Sequence, residues 1–201
     1  MPDYFEYGAT EIDYLKRKDK RLAAVIDEMG HLERAVNPNL FDALIAAIVD
    51  QQISRAAAIT VNARLRALCG GVYQAEKIAA LSQTQIQACG MTMRKAGYIL
   101  NAAQVIARGE IDLDALETMD DESVIKALSS LHGVGVWTAE MLLIFSLQRQ
   151  NVLSWGDLAI QRGIMRLYHH KTLPKARFER YRKRYAPYGS VASIYLWALA
   201  K

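Results

Sequence analysis

Leu131 to Asp157, LHGVGVWTAEMLLIFSLQRQNVLSWGD, organises the rest of the chain. It opens on Leu-His-Gly-Val-Gly, so Gly133 and Gly135 stand two apart among apolar residues. A run of helical period starts near Trp137 and continues through Met141, Leu142 and Phe145. Asp157 follows Trp137 by twenty residues (157 − 137), and a second periodic apolar run comes after it. This order predicts a helix, a tight glycine turn and a second helix. Glycine accepts positive φ and has no Cβ, so a polyanion can approach its backbone closely. The N–H groups of such a turn, with those around Thr138 at the start of the next helix, form an anion site that the helix dipole strengthens. A DNA phosphate is the natural ligand, gripped without reading sequence. Taken alone, the glycines fit an ordinary helix C-cap and turn just as well.

Outward from this stretch the pattern is helical from about residue 18 to the end, with no persistent alternation. Phe41, Leu44, Ile45 and Ile48 fall at i, i+3, i+4 and i+7, with Asn39 in place as N-cap. That helix breaks around Asp50-Gln51-Gln52-Ile53, and Ser54 caps a second one running to Cys69, ended by Gly70-Gly71. Ser82 begins a short helix ending at Gly90, and Met93 to Arg108 forms another, closed by Gly109. Asp120 or Asp121 caps the helix that enters the turn at Leu131. Further helices are expected near 157–168, 174–185 and 190–200, while the first 30 or so residues are uninformative. Pro174 and Pro187 mark helix boundaries, not a domain break, so residues 1–201 read as one domain.

The chain has 201 residues, enough for one domain or two small helical lobes. A formal charge of +4 is compatible with a nucleic-acid partner without establishing one. Two cysteines, Cys69 and Cys89, make no disulfide framework and are too few for a four-cysteine iron–sulfur cluster. The first twenty residues lack a signal-peptide core and no run is long enough to span a bilayer, which points to a cytoplasmic, nucleoid-associated protein. The four histidines, His31, His132, His169 and His170, show no metal-ligand spacing, so no metal and no cofactor is expected.

The quoted stretch resembles the helix-hairpin-helix superfamily of DNA glycosylases, with its hairpin at 131–139 followed by a single catalytic aspartate. Ala47-Ile48-Val49-Asp50-Gln51-Gln52-Ile53-Ser54 and Gly90-Met91-Thr92-Met93-Arg94-Lys95-Ala96-Gly97-Tyr98-Ile99 are similar to two further elements of that superfamily. Pro187-Tyr188-Gly189-Ser190 and Trp197 resemble its alkylbase branch, the 3-methyladenine DNA glycosylases of type II. The resemblance implies an all-α fold of two helical lobes with a DNA-binding cleft between them. It further implies a monomer that acts on double-stranded DNA containing damaged bases, in base excision repair.

It also assigns roles. Glycosidic cleavage builds positive charge at C1′, which a fixed carboxylate stabilises; Asp157 is the candidate, although capping a helix is the commonest use of an Asp in this setting. Bifunctional relatives carry a nucleophilic lysine at the hairpin slot filled here by Trp137, so base removal by water without strand cleavage is implied. Trp137 is equally suited to core packing. Trp197 matches the base-stacking tryptophan of the branch and Tyr188 a nearby aromatic position, where a cationic alkylpurine such as 3-methyladenine or 7-methylguanine would find a π face. Gln52 aligns with the residue that fills the gap left by the flipped base, and Gly133, Gly135 and Thr138 with the backbone grip on DNA. Ser154-Trp155-Gly156 departs from the superfamily's proline-containing approach to the aspartate, which makes Trp155 a candidate for reshaping the pocket rim. A glycosylase for oxidised or deaminated bases, or a non-catalytic helix-hairpin-helix DNA-binding protein, are the alternatives.

Overall fold

The computed structural model describes residues 3–200. The expected all-α architecture is present, with one short antiparallel strand pair added, and the chain divides into two compact units. No helix among the described residues is long and apolar enough to cross a membrane.

The unit formed by Asn37–Leu142 carries the hairpin. Its helices are α3 (Leu40–Asp50), α4 (Arg55–Leu68), α5 (Ala75–Ala79), α6 (Gln83–Gln87), α7 (Met93–Ala107), α8 (Leu113–Leu116), α9 (Asp121–Ser129) and the start of α10 (Val136–Phe145). Each predicted cap is made. The Asn39 side chain accepts from Asp42 N–H, Ser54 from Ala57, Ser82 from Gln85 and Asp120 from Ser123. The apolar stripes meet where those caps aim them: α3, α5 and α6 pack on α7, burying Leu44, Ile45, Ile48, Ile78, Ile86 and Ile99 completely. Each such aliphatic side chain contributes about 1.5–3 kcal/mol relative to exposure. The turns α5 and α8 were not resolved in the periodicity, because four or five residues are too few to show a 3.6 period.

The other unit is built from two chain segments, residues 3–36 and 143–200. It holds β1 (Asp3–Tyr4) paired with β2 (Ala35–Val36), then α1 (Ala9–Lys18), α2 (Lys20–Met29), α11 (Leu158–Tyr168), α12 (Lys175–Tyr185) and α13 (Gly189–Leu199). The helices α1 and α2 correct the expectation that regular structure starts near residue 18. A glycine precedes α1 instead of a capping side chain, and Glu11 reaches back to the Gly8 N–H at 2.7 Å. Asp19 separates the two helices and caps α2 through Arg21 and Leu22 N–H. The same buried carboxylate accepts from the Tyr168 and Tyr185 hydroxyls and from Arg184. Where α11 crosses α13, a Cβ at Gly163 would lie 2.2 Å from the Leu196 carbonyl oxygen, so only glycine permits that approach.

Candidate nucleic-acid interface

The hairpin joins α9 to α10. Its two glycines serve different needs. Gly133 has φ +82°, and a Cβ there would meet the Tyr98 ring at 2.2 Å. Gly135 lies outside the left-handed region, and a Cβ there would have no neighbour within 4 Å. Gly133 is therefore demanded by the fold. Gly135 leaves open space over the turn, as an approaching backbone phosphate requires. The Gly135 carbonyl accepts from Ala139 N–H, which makes Gly135 the first capping position of α10 and aims the N–H groups of the first turn past the helix end.

Trp137 follows at once. It is 47% exposed, which excludes the core-packing reading. It lines an open cavity of about 470 Å³ together with Ala47, Gln51, Gln52, Thr138 and Met141. Three candidate residues, Trp137, Thr138 and Gln52, thus line one cavity. Thr138 is buried. Gln52 is exposed on the turn after α3, with φ +55°, a left-handed conformation that costs a non-glycine residue free energy.

Sequence reasoning missed the residues that hold this turn. Gln51 donates through Nε2 to the Gly133 carbonyl at 2.8 Å. The buried Lys95 ammonium donates to the Val49 carbonyl at 2.8 Å and to the Gln51 carbonyl. Burial draws the Lys95 pKa below its ordinary value, while Asp50 works in the opposite direction. Both residues lie inside the matched motifs, but their partners are 46 and 82 positions away, which no local spacing reveals.

In the other unit, Asp157 caps α11: Ala159 N–H and Ile160 N–H donate to its Oδ1 at 2.8 and 2.9 Å. The side chain is only 7% exposed. The common capping use is thus realised, and it holds the carboxylate in one orientation. Trp197 is half-buried and stacks on Phe145 with centroids 5.4 Å apart. Tyr188, also half-buried, meets Tyr14 edge-on at 5.2 Å, the packing role its position allowed. Trp155 packs edge-on against Phe178, and its carbonyl accepts from Gln161. Its ring is thereby engaged with α12.

The basic run of α12 is divided. Arg182 is engaged with Glu179 and the Leu153 carbonyl, and Arg184 with Asp19. Lys175, Arg180 and Lys183 are exposed, as is Lys171 in the segment before the helix. Among the described residues no group of His, Cys, Asp and Glu could hold a metal ion.

Comparison with known proteins agrees with this geometry. Residues 45–187 match the family described as HhH-GPD superfamily base excision DNA repair protein. A Bacillus subtilis relative is 30% identical over 88% of this chain, which spans 64% of that longer protein. The DNA-3-methyladenine glycosylase 1 of Schizosaccharomyces pombe is 30% identical, covering 90% of this chain and 82% of its own. Among solved structures, a DNA-3-methyladenine glycosidase from Bacillus halodurans superposes with a TM-score of 0.89 at 34% identity, over 98% of this chain and 92% of that one. The S. pombe 3-methyladenine DNA glycosylase in complex with abasic DNA gives 0.81 at 27% identity, over 94% and 95%.

Proposed function

Because the chain belongs to the HhH-GPD superfamily of base excision DNA repair proteins, we propose that it is a monofunctional glycosylase that removes alkylated purines from double-stranded DNA. The observation that carries this reading is Asp157, a buried carboxylate pinned by two backbone N–H groups in a chain with this hairpin. Relatives named for 3-methyladenine removal support the substrate class.

The chemistry follows from what each residue can do. The hairpin amides around Gly135 hold a phosphate and fix the register of the duplex without selecting a sequence. The damaged nucleotide rotates out of the stack, and exposed Gln52 enters the gap it leaves. As the glycosidic bond lengthens, C1′ gains positive charge. The Asp157 carboxylate stabilises that charge, and its fixed orientation means little reorganisation is needed during the reaction. Water then completes the displacement. Trp137 stands where bifunctional relatives place an amine, and an indole cannot form a Schiff base. A cationic 3-methyladenine or 7-methylguanine leaves as a neutral molecule and so needs no general acid. The face of Trp197 offers such a cation a π partner.

Base release from methylated duplex DNA, resolved by chromatography, tests the reading. Methylpurines should dominate the products, and Asp157→Asn should lower their release by on the order of 10²–10³-fold or more while leaving duplex affinity nearly intact. Asparagine caps a helix about as well as aspartate, so this variant removes charge with little effect on α11. Retained turnover in the variant, or 8-oxoguanine or uracil released fastest, would overturn the reading.

A further inference from the structure

The turn that carries Gln52 and the hairpin that carries Gly135 are tied together by side chains outside both. The last carbonyls of α3 have no partners within the helix. Two carbonyls at its end, those of Val49 and Gln51, are taken by the Lys95 ammonium, which enters from α7. A cation at a helix C-terminus is favoured by the dipole as well as by the hydrogen bonds. The next residue, Gln52, is the one held at φ +55°, so the clamp sits where the chain turns from α3 toward α4. Gln51 then spans the remaining distance, donating from Nε2 to the Gly133 carbonyl. One turn along α7 from Lys95, the Tyr98 ring covers the α-carbon of Gly133 so closely that no Cβ fits. α7 therefore touches the Gln52 turn through Lys95 and the hairpin through Tyr98, and Gln51 closes the ring.

We infer that Lys95 is a positioning residue for base flipping: through Gln51 it sets the separation between the Gln52 side chain and the phosphate-binding amides of the hairpin. Hydrophobic packing alone would not do this. Asp50, Gln52 and Ile53 of this turn are all exposed, so its one apolar side chain, Ile53, is not buried in a core that could lock its register. A buried ammonium can satisfy two carbonyls at once, and losing either bond leaves a desolvated donor and a carbonyl unpaired, which makes the geometry demanding. The inference rests on the glycosylase reading, in which Gln52 enters the duplex as the base leaves.

The experiment compares Lys95→Met, Lys95→Arg and Gln51→Leu with the unaltered protein on 7-methylguanine in two settings, paired with cytosine and facing an abasic site. Misplacement by ~1 Å can cost up to about 100-fold in rate. Lys95→Met and Gln51→Leu should therefore lose roughly 10-fold or more on the paired base and clearly less opposite the abasic site, where flipping is already easy. The double variant should lose no more than the worse single one, as expected for two links of one chain. Lys95→Arg keeps the charge and should recover part of the loss. Equal losses in both settings would mean general destabilisation and would overturn the inference. Hydrogen exchange gives a readout independent of catalysis. In Lys95→Met the amides of 50–54 and 131–136 should exchange faster while the middle of α7 stays protected, and unchanged protection at 131–136 refutes the link. If the unaltered protein releases no 7-methylguanine, the substrate reading fails and hydrogen exchange still decides the role of Lys95.

Discussion

Replacing Gly133 and Gly135 singly by alanine should separate what the fold requires from what DNA requires. At Gly133 two costs add. The residue sits at φ +82°, and left-handed backbone costs an L-residue about 1–2 kcal/mol. The new Cβ would lie 2.2 Å from Tyr98 Cδ2, so the ring must move, and overpacking of this kind typically costs about 1–3 kcal/mol. Gly133→Ala should therefore destabilise by about 2–5 kcal/mol, with the melting temperature falling roughly 2–4 °C per kcal/mol for a domain of this size. Adding Tyr98→Ala frees the space and should return the collision part of the cost but not the backbone part. Gly135→Ala meets nothing within 4 Å and needs no unusual φ, so stability should hold or rise by about 0.4–1 kcal/mol. Its effect should appear in fluorescence anisotropy with duplex DNA, as weaker binding to all sequences alike and a shallower dependence on salt. Thermal unfolding and a salt titration on the four proteins suffice. A Gly133→Ala protein as stable as the original, or Gly135→Ala binding DNA normally, would refute the division of labour.

On the proposed monofunctional reading, borohydride should trap no covalent adduct with DNA, since Trp137 has no amine; a robust adduct on a gel would show that a lysine elsewhere serves. Trp197→Ala should slow release of cationic methylpurines more than Trp197→Phe, while hypoxanthine release, slow from the start, should respond less; equal effects on charged and neutral bases would remove the cation–π role. Lys95, whose proton is held less tightly in the buried site with only Asp50 opposing, gives a stability test with a definite sign. Between its lowered pKa and the ordinary 10.5 the unfolded chain binds more protons, so this group makes stability rise with pH there. Lys95→Met lacks that contribution, and melting curves of the two proteins that ran parallel across the window would contradict the burial of a charged amine.

What could be read from the sequence was local. Asn39, Ser54, Ser82 and Asp120 cap helices within three residues of themselves, so their roles were visible in the order of the letters. The helix breaks at Gly70, Gly90 and Gly109 were legible for the same reason, each having φ above +70°. Trp137 was ambiguous, because a tryptophan at a helix start packs inward or faces a cavity with equal ease, and only the fold decides. Gly133 and Gly135 looked equivalent until Tyr98, thirty-five positions earlier, was placed against one of them (133 − 98). Lys95 read as part of a motif without a job, since its two acceptors are main-chain oxygens and leave no mark in the sequence. The strand pair at 3–4 and 35–36 is two residues on each side, too short to alternate.

The unit bearing Asp157 is assembled from both ends of the chain, with all of 37–142 lying between its segments. During synthesis residues 37–142 emerge before 143–200, and residues 3–36 must wait for the latter. Their buried Asp19 meets the Arg184 guanidinium and two hydroxyls only when Tyr168, Arg184 and Tyr185 have been made, and the Gly30 carbonyl is reached by the Tyr195 hydroxyl of α13. Loop-closure entropy grows only slowly with length, so the long excursion costs little at equilibrium. It does impose an order: the stretch that carries the hairpin is synthesised whole before the partners of residues 3–36 exist.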